Sequence, residues 1–222
     1  MKITYLGHSA FSLEGRGRKV CFDPWVRGNP SAPSGVESLE GADLLMVSHS
    51  HDDHGLRDAI EASKRWGGKV VGIFELANYA EREGAMAVGA NIGGPFRAEG
   101  VEIVLTEALH SSSLGSPVGF VVKLGDLTVY HAGDTGVFPG MAIIGELYKP
   151  DIALLPIGGH FTMGPREAAK ALEILRPSRV VPMHYGTFPV LWGTPEDLER
   201  EVRERGLDVE VVKLEPGESA EV

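Results

Sequence analysis

Cysteine is nearly missing from this chain of 222 residues: Cys21 stands alone, which excludes an internal disulfide and any zinc site built from several cysteines. Within Lys19-Val20-Cys21-Phe22 it reads as a small buried core residue. No apolar run approaches the roughly 20 residues that span a bilayer, and Met1-Lys2-Ile3-Thr4-Tyr5-Leu6 lacks the long apolar stretch of a secretory signal. A cytoplasmic protein with no membrane partner is the expectation. Basic residues are the minority, 21 against 31 acidic, for a formal net charge of −10. No lysine or arginine block offsets this, so a nucleic-acid polymer is not an expected partner. Low-complexity segments, linkers and short-period repeats are also absent. At this length the chain fits one large domain or two small ones, with an apolar share of 43% to build a core.

Strand-like runs dominate the first quarter: Lys2–Leu6, Ala10–Leu13 and Lys19–Phe22, separated by glycine-containing turns. Asp23-Pro24 ends the third. The stretch from Arg27 to Gly41 is expected to be a long loop, of the kind that serves as a lid over a site. Asp43–Val47 is a continuous apolar run, the pattern of a strand covered on both faces. Leu56, Ala59, Ile60 and Ser63 then recur at helical spacing up to Gly67-Gly68, and a strand at Val70–Ile73 leads into a helix over Glu75–Glu83.

The second half begins again with strands, Val101–Thr106, Val118–Leu124 and Leu127–His131, the last two joined by a Gly125-Asp126 hairpin turn. Asp151–Pro156 and Arg179–Pro182 are further strands, and Val209–Leu214 is expected to close the chain. Pro165 opens a helix that Pro177 ends, and Thr194 caps another that starts at Pro195. Both halves run from strands into strand–helix alternation. This suits two mixed sheets packed face to face with helices outside, an α/β fold in four layers, αββα. The pattern alone does not choose it over a plain three-layer α/β fold.

Chemistry concentrates just past the Asp43–Val47 strand. His49, His51, Asp53 and His54 fall within six residues, between a buried strand and a helix that fix both ends of their loop. Histidines two apart in extended backbone point the same way, so His49 and His51 can hold one ion. Asp53 and His54, turned by the helix start, can reach a second. Imidazole and carboxylate suit zinc, and also manganese, iron or nickel. Four residues do not complete two metal sites. His110, Asp134 and His184 offer the rest, since each stands just past a strand's end beside small residues.

The array His49-x-His51-x-Asp53-His54, His110, Gly133-Asp134-Thr135 and His184 resembles the metal-binding signature of the metallo-β-lactamase superfamily. Leu6-Gly7-His8-Ser9-Ala10-Phe11, Asp23-Pro24, the segment from Pro156 to Pro165 and Met183-His184-Tyr185 narrow the resemblance to its UlaG-like, UPF0173-type metal-dependent hydrolases. His160 departs from the pattern, where asparagine is expected at least as often. The resemblance runs nearly end to end and implies one domain, residues 1–222, with the αββα fold of that superfamily. It implies two divalent metal ions, zinc or manganese with iron or nickel as further options. His49, His51 and His110 would hold one, Asp53, His54 and His184 the other, and Asp134 would bridge them with a water or hydroxide.

Such an enzyme would cleave an ester-type bond with the bridging hydroxide, whose parent water ionises near pH 7 when metal-bound. A small phosphodiester and a lactone are the two substrate classes that the resemblance supports. Two divalent ions bring about +4 against roughly −3 from two aspartates and hydroxide, so an anionic small-molecule substrate is compatible with an acidic protein. The catalytic candidates are Asp53, His8, His160 and Tyr185, the last three as donors to the leaving group. Asp23 is placed to orient a ligand histidine from behind. Asp52 is read as helix N-terminal charge and His131 as a packed strand residue. The helix start at Thr162-Met163-Gly164-Pro165 could receive an anion or simply be capped. The alternative class is a non-hydrolytic metalloprotein, a di-iron redox protein or a metal sensor. A homo-oligomer is compatible with either.

Overall fold

The computed structural model describes all 222 residues as two seven-stranded mixed sheets packed face to face. The first sheet is built from β1 (Lys2–Gly7), β2 (Ala10–Gly15), β3 (Arg18–Phe22), β4 (Leu44–Met46), β5 (Lys69–Ile73) and β6 (Ala87–Ala90) in chain order. The second takes β7 (Phe96–Ala98), β8 (Val101–Glu107), β9 (Val118–Leu124), β10 (Leu127–His131), β11 (Ile152–Pro156), β12 (Arg179–Met183) and β13 (Glu210–Val211). Strand β14 (Ser219–Glu221) returns to the first sheet and pairs antiparallel with β1. In both sheets the early strands form an antiparallel meander and the later ones run parallel. The two halves are thus built alike, in the four-layer αββα arrangement expected.

Strand alternation divides the second sheet between two cores. Ile103, Leu105, Ile152 and Leu154 enter the cluster between the sheets, while Val104, Ala153 and Leu155 face an outer helical layer. That layer holds α3 (Met141–Tyr148), α4 (Pro165–Leu175) and α5 (Pro195–Glu204), whose Met141, Leu172 and Leu198 close over the sheet. Two helices, α1 (Leu56–Trp66) and α2 (Phe74–Arg82), cover the first sheet. Their termini follow the sequence signals. Gly67 ends α1 in the left-handed region at φ 87°, and the Thr194 side chain accepts from the Asp197 N–H at the start of α5.

Two expectations are corrected. The Arg27–Gly41 stretch is not a free lid: Val36–Leu39 form a 3-10 turn whose Leu39 is fully buried, and Lys19 Nζ donates to the Ser38 and Glu40 carbonyls. Val209–Leu214 contributes only the two-residue β13, and β14 closes the chain instead. Helix α3 gives no amphipathic period because it is apolar on both sides, with Ile144 buried and Ile143 and Leu147 exposed. No helix is long and apolar enough to cross a membrane.

Candidate metal centre

The loop from β4 to α1 carries four of the expected ligands, and Asp23 fixes its geometry. Asp23 accepts from the Ser48 N–H at 2.7 Å, from Ser48 Oγ at 2.7 Å and from His54 Nδ1 at 2.8 Å. A carboxylate only accepts, so the proton lies on His54 Nδ1 and Nε2 is a bare lone pair in the neutral ring. Ser48 spends its one proton on Asp23, so His49 Nδ1, 3.0 Å away, must donate to Ser48 Oγ. His49 Nε2 is then bare as well. Two adjacent imidazoles thus turn Nε2 to the same side, as metal ligation requires.

The bare nitrogens meet further donors of the same kind. His49 Nε2 lies 2.9 Å from His51 Nδ1, which lies 3.3 Å from His110 Nε2, and these three atoms form one candidate cation group. A second group unites Asp53, His54, His184 and, beyond the expected set, His8. Asp134 stands between them. Its Oδ2 is 3.1 Å from His184 Nε2, 3.3 Å from His54 Nε2 and 3.6 Å from His110 Nε2.

This arrangement fits divalent cations on two grounds. Asp134 Oδ1 and His54 Nε2 are buried without a hydrogen-bond partner. Asp23, Asp53 and Asp134 converge with histidines alone as ion-pair partners, with no lysine or arginine among them. Positive charge must therefore come from protons or bound cations. The pKa shifts register the same demand. Burial disfavours a charged His54, yet Asp134 and Asp23 outweigh it and raise the ring well above the usual histidine range. Burial also resists ionisation of Asp134, but His54 and His184 hold it well below the carboxylate range. At His49 burial dominates, reinforced by His54, and brings the pKa down to about 2, keeping the ring a neutral donor.

Backbone geometry lets these loops approach. Gly133, at φ 61°, lies so close to Val118 and Ser48 that a Cβ would sit 2.6 Å from the Val118 carbonyl oxygen. Gly55 starts α1 at φ 72°, where a Cβ would meet the Pro24–Trp25 backbone at 2.3 Å. His8, Asp23 and His184 adopt φ of 59°, 39° and 56°, strained conformations for non-glycine residues that gather at this centre. His184 is tied in by its N–H to the His8 carbonyl at 2.8 Å. Thr135 Oγ1 accepts from the Leu109 N–H, and the Thr135 carbonyl from the Met163 N–H, which links the loops past β8, β10 and β11.

Among the other candidates, Tyr185 and His160 are not brought to the cluster. Tyr185 directs its hydroxyl to the Leu214 carbonyl at 3.5 Å, and burial with nearby Glu215 pushes its pKa up to about 12. His160 is exposed on the loop past β11 and packs edge-on against Phe161. Asp52 is exposed beside Arg57 at 3.6 Å, as helix-start charge. His131 is a packed residue: it donates from Nε2 to the Ser9 carbonyl, accepts the Gly133 N–H at Nδ1, and stacks on Phe22 at 5.1 Å. The start of α4 is capped from within, the Gly164 N–H donating to Glu167 Oε2 at 3.2 Å. Ser48 and Thr187 carry parts that the sequence did not suggest. For Ser48 the signal is a hydroxyl adjoining the first histidine; for Thr187, 179 residues from its partner His8, there is none.

Residues 2–184 match the family model of the Beta-lactamase superfamily domain. Along its full length the chain is 59% identical to a UPF0173 metal-dependent hydrolase of Korarchaeum cryptofilum, covering 100% of both proteins. A UPF0173 metal-dependent hydrolase of Methanopyrus kandleri is 52% identical, again over 100% of both. Among solved structures, Igni18, a metallo hydrolase from Ignicoccus hospitalis, superposes with a TM-score of 0.92 at 43% identity, over 99% of this chain and 97% of that one.

Proposed function

The chain belongs to the UPF0173 metal-dependent hydrolases of the metallo-β-lactamase superfamily, and from that membership we propose that it hydrolyses an ester-type bond in a small molecule, a phosphodiester or a lactone, at a centre for two divalent cations. His49, His51 and His110 would hold one cation, and Asp53, His54 and His184 the other. Asp134 would serve both. The observation that carries this reading is the position of one oxygen, Asp134 Oδ2, within 3.6 Å of imidazole nitrogens from both groups.

Cations bound there would supply Lewis acidity toward a carbonyl or phosphoryl oxygen and would lower the pKa of a water toward neutrality. The protein's own contribution is preorganisation. Asp23 and Ser48 hold the Nδ1 protons of His54 and His49, so both rings turn Nε2 inward before anything binds. Burial of His54, Asp134 and His184 keeps competing water from these donors and strengthens their field. His160, exposed past β11, is assigned to substrate contact. Tyr185, committed to the Leu214 carbonyl, is given no proton-transfer role. Net charge −10 argues against nucleic-acid polymers as substrates, whereas a small anion is drawn in by the cations.

Metal analysis combined with two assays tests the reading. Bis(p-nitrophenyl) phosphate and a sugar lactone are offered to zinc- and manganese-loaded protein. Turnover of either with about two metal equivalents, lost together with metal in His51→Ala, is the expected outcome. Iron with visible absorbance and turnover of neither compound would overturn it. His160→Ala should keep the metal content and change the kinetics.

A further inference from the structure

His8 has no exposed surface, and its two ring nitrogens face different partners. Nε2 stands 3.4 Å from Asp53 Oδ2, and Nδ1 stands 3.0 Å from Thr187 Oγ1. Asp53 is a carboxylate and only accepts, so a bare lone pair held against it would be repulsive. The proton of the neutral ring therefore belongs on Nε2. Nδ1 is left as an acceptor, and its partner Thr187 must donate. The competing acceptor for the Thr187 proton, the Tyr185 carbonyl, is farther away at 3.3 Å. Ser31 Oγ, 3.4 Å from Thr187 Oγ1, can donate into it. Every donor then points one way, from Ser31 through Thr187 and His8 to Asp53.

We propose that Thr187 and His8 form a positioning relay for Asp53, in which the Thr187 hydroxyl fixes the His8 tautomer and His8 holds one oxygen of the carboxylate. Asp53 divides its oxygens to suit: Oδ2 faces His8, while Oδ1 is the oxygen turned toward His54 Nε2, at 3.9 Å. The relay leaves Oδ1 free on the side of the cation group. The His8 ring is held for this task. Its carbonyl accepts from Tyr5 Oη at 3.0 Å and from the His184 N–H at 2.8 Å, and its faces and edges meet Trp25, Phe188 and His184. The 3.4 Å separation from Asp53 is long for a hydrogen bond, as catalytic-site contacts often are before a ligand tightens them. The inference rests on Asp53 being a cation ligand.

Thr187→Val keeps the shape and removes the donor; Thr187→Ser keeps the donor. Zinc affinity is measured by chelator competition on the full chain. Thr187→Val should weaken one of two zinc equivalents about tenfold or more, in the range typical of groups that orient ligands, and leave the other unchanged. Thr187→Ser should restore the wild-type value. Nitrogen-15 NMR of histidine-labelled, zinc-loaded wild-type protein should find the His8 proton on Nε2. This measurement decides even if Thr187→Val does not fold. A proton on Nδ1, or two wild-type affinities in a folded Thr187→Val, overturns the relay alone. Two wild-type affinities in Asp53→Asn overturn the ligand role of Asp53, and the relay with it.

Discussion

Asp23 decides the protonation of two imidazoles it does not share with any ion. Accepting from Ser48 and His54 at 2.7–2.8 Å, it forces His54 to present Nε2 and, through Ser48, forces His49 to do the same. Asp23→Asn puts an amide where a donor-facing carboxylate stood, so either an N–H meets an N–H or the amide must turn and lose a partner. Metal affinity should fall about 10- to 100-fold, measured by chelator competition, with far-ultraviolet circular dichroism unchanged. Wild-type affinity in the folded variant would show that the tautomers are set by something else. At this scale the sequence is eloquent about ligands and silent about what orients them. Three histidines and an aspartate in six positions can hardly be anything but a cation site, whereas the pairing of His8 with Thr187 exists only once β1 and β12 lie together. Asp23 was legible in part, as a carboxylate at a strand's end.

At the scale of the element, every expected ligand lies just past the end of a strand: β4 for the cluster, β8 for His110, β10 for Asp134 and β12 for His184. Glycine makes the approach possible. Gly55→Ala imposes a left-handed conformation on a side chain and drives its Cβ into the Pro24–Trp25 backbone, which should cost about 2–5 kcal/mol. Denaturant unfolding should show this loss. A change below about 0.5 kcal/mol would mean that the α1 start yields freely. The elements that the sequence did not announce have physical excuses. Strand β6 is Ala-Val-Gly-Ala, poor in strand formers, and β14 is three residues, two of them exposed, whose partner β1 is more than 200 positions away. Helix α3 hides because Ile143 and Leu147 are exposed where polar residues would have revealed a period.

For the whole molecule, two halves of one plan each turn the ends of their strands toward the same centre, and the ligands come from both. Loops of the first sheet supply His49, His51, Asp53 and His54, with His8 behind Asp53, and loops of the second supply His110, Asp134 and His184. The centre thus tests the mutual placement of the sheets as well as the chemistry of their loops. An acidic chain gathers three aspartates there with no lysine or arginine to answer them, and Asp134 sits where two cations would need it. Anomalous diffraction from crystals of the zinc- or manganese-loaded protein and its Asp134→Ala variant measures this directly. Two peaks flanking Asp134 in the wild type, both depleted in the variant, are the expected result. A single peak in the wild type, or two full peaks that persist without the Asp134 carboxylate, would contradict the bridged centre.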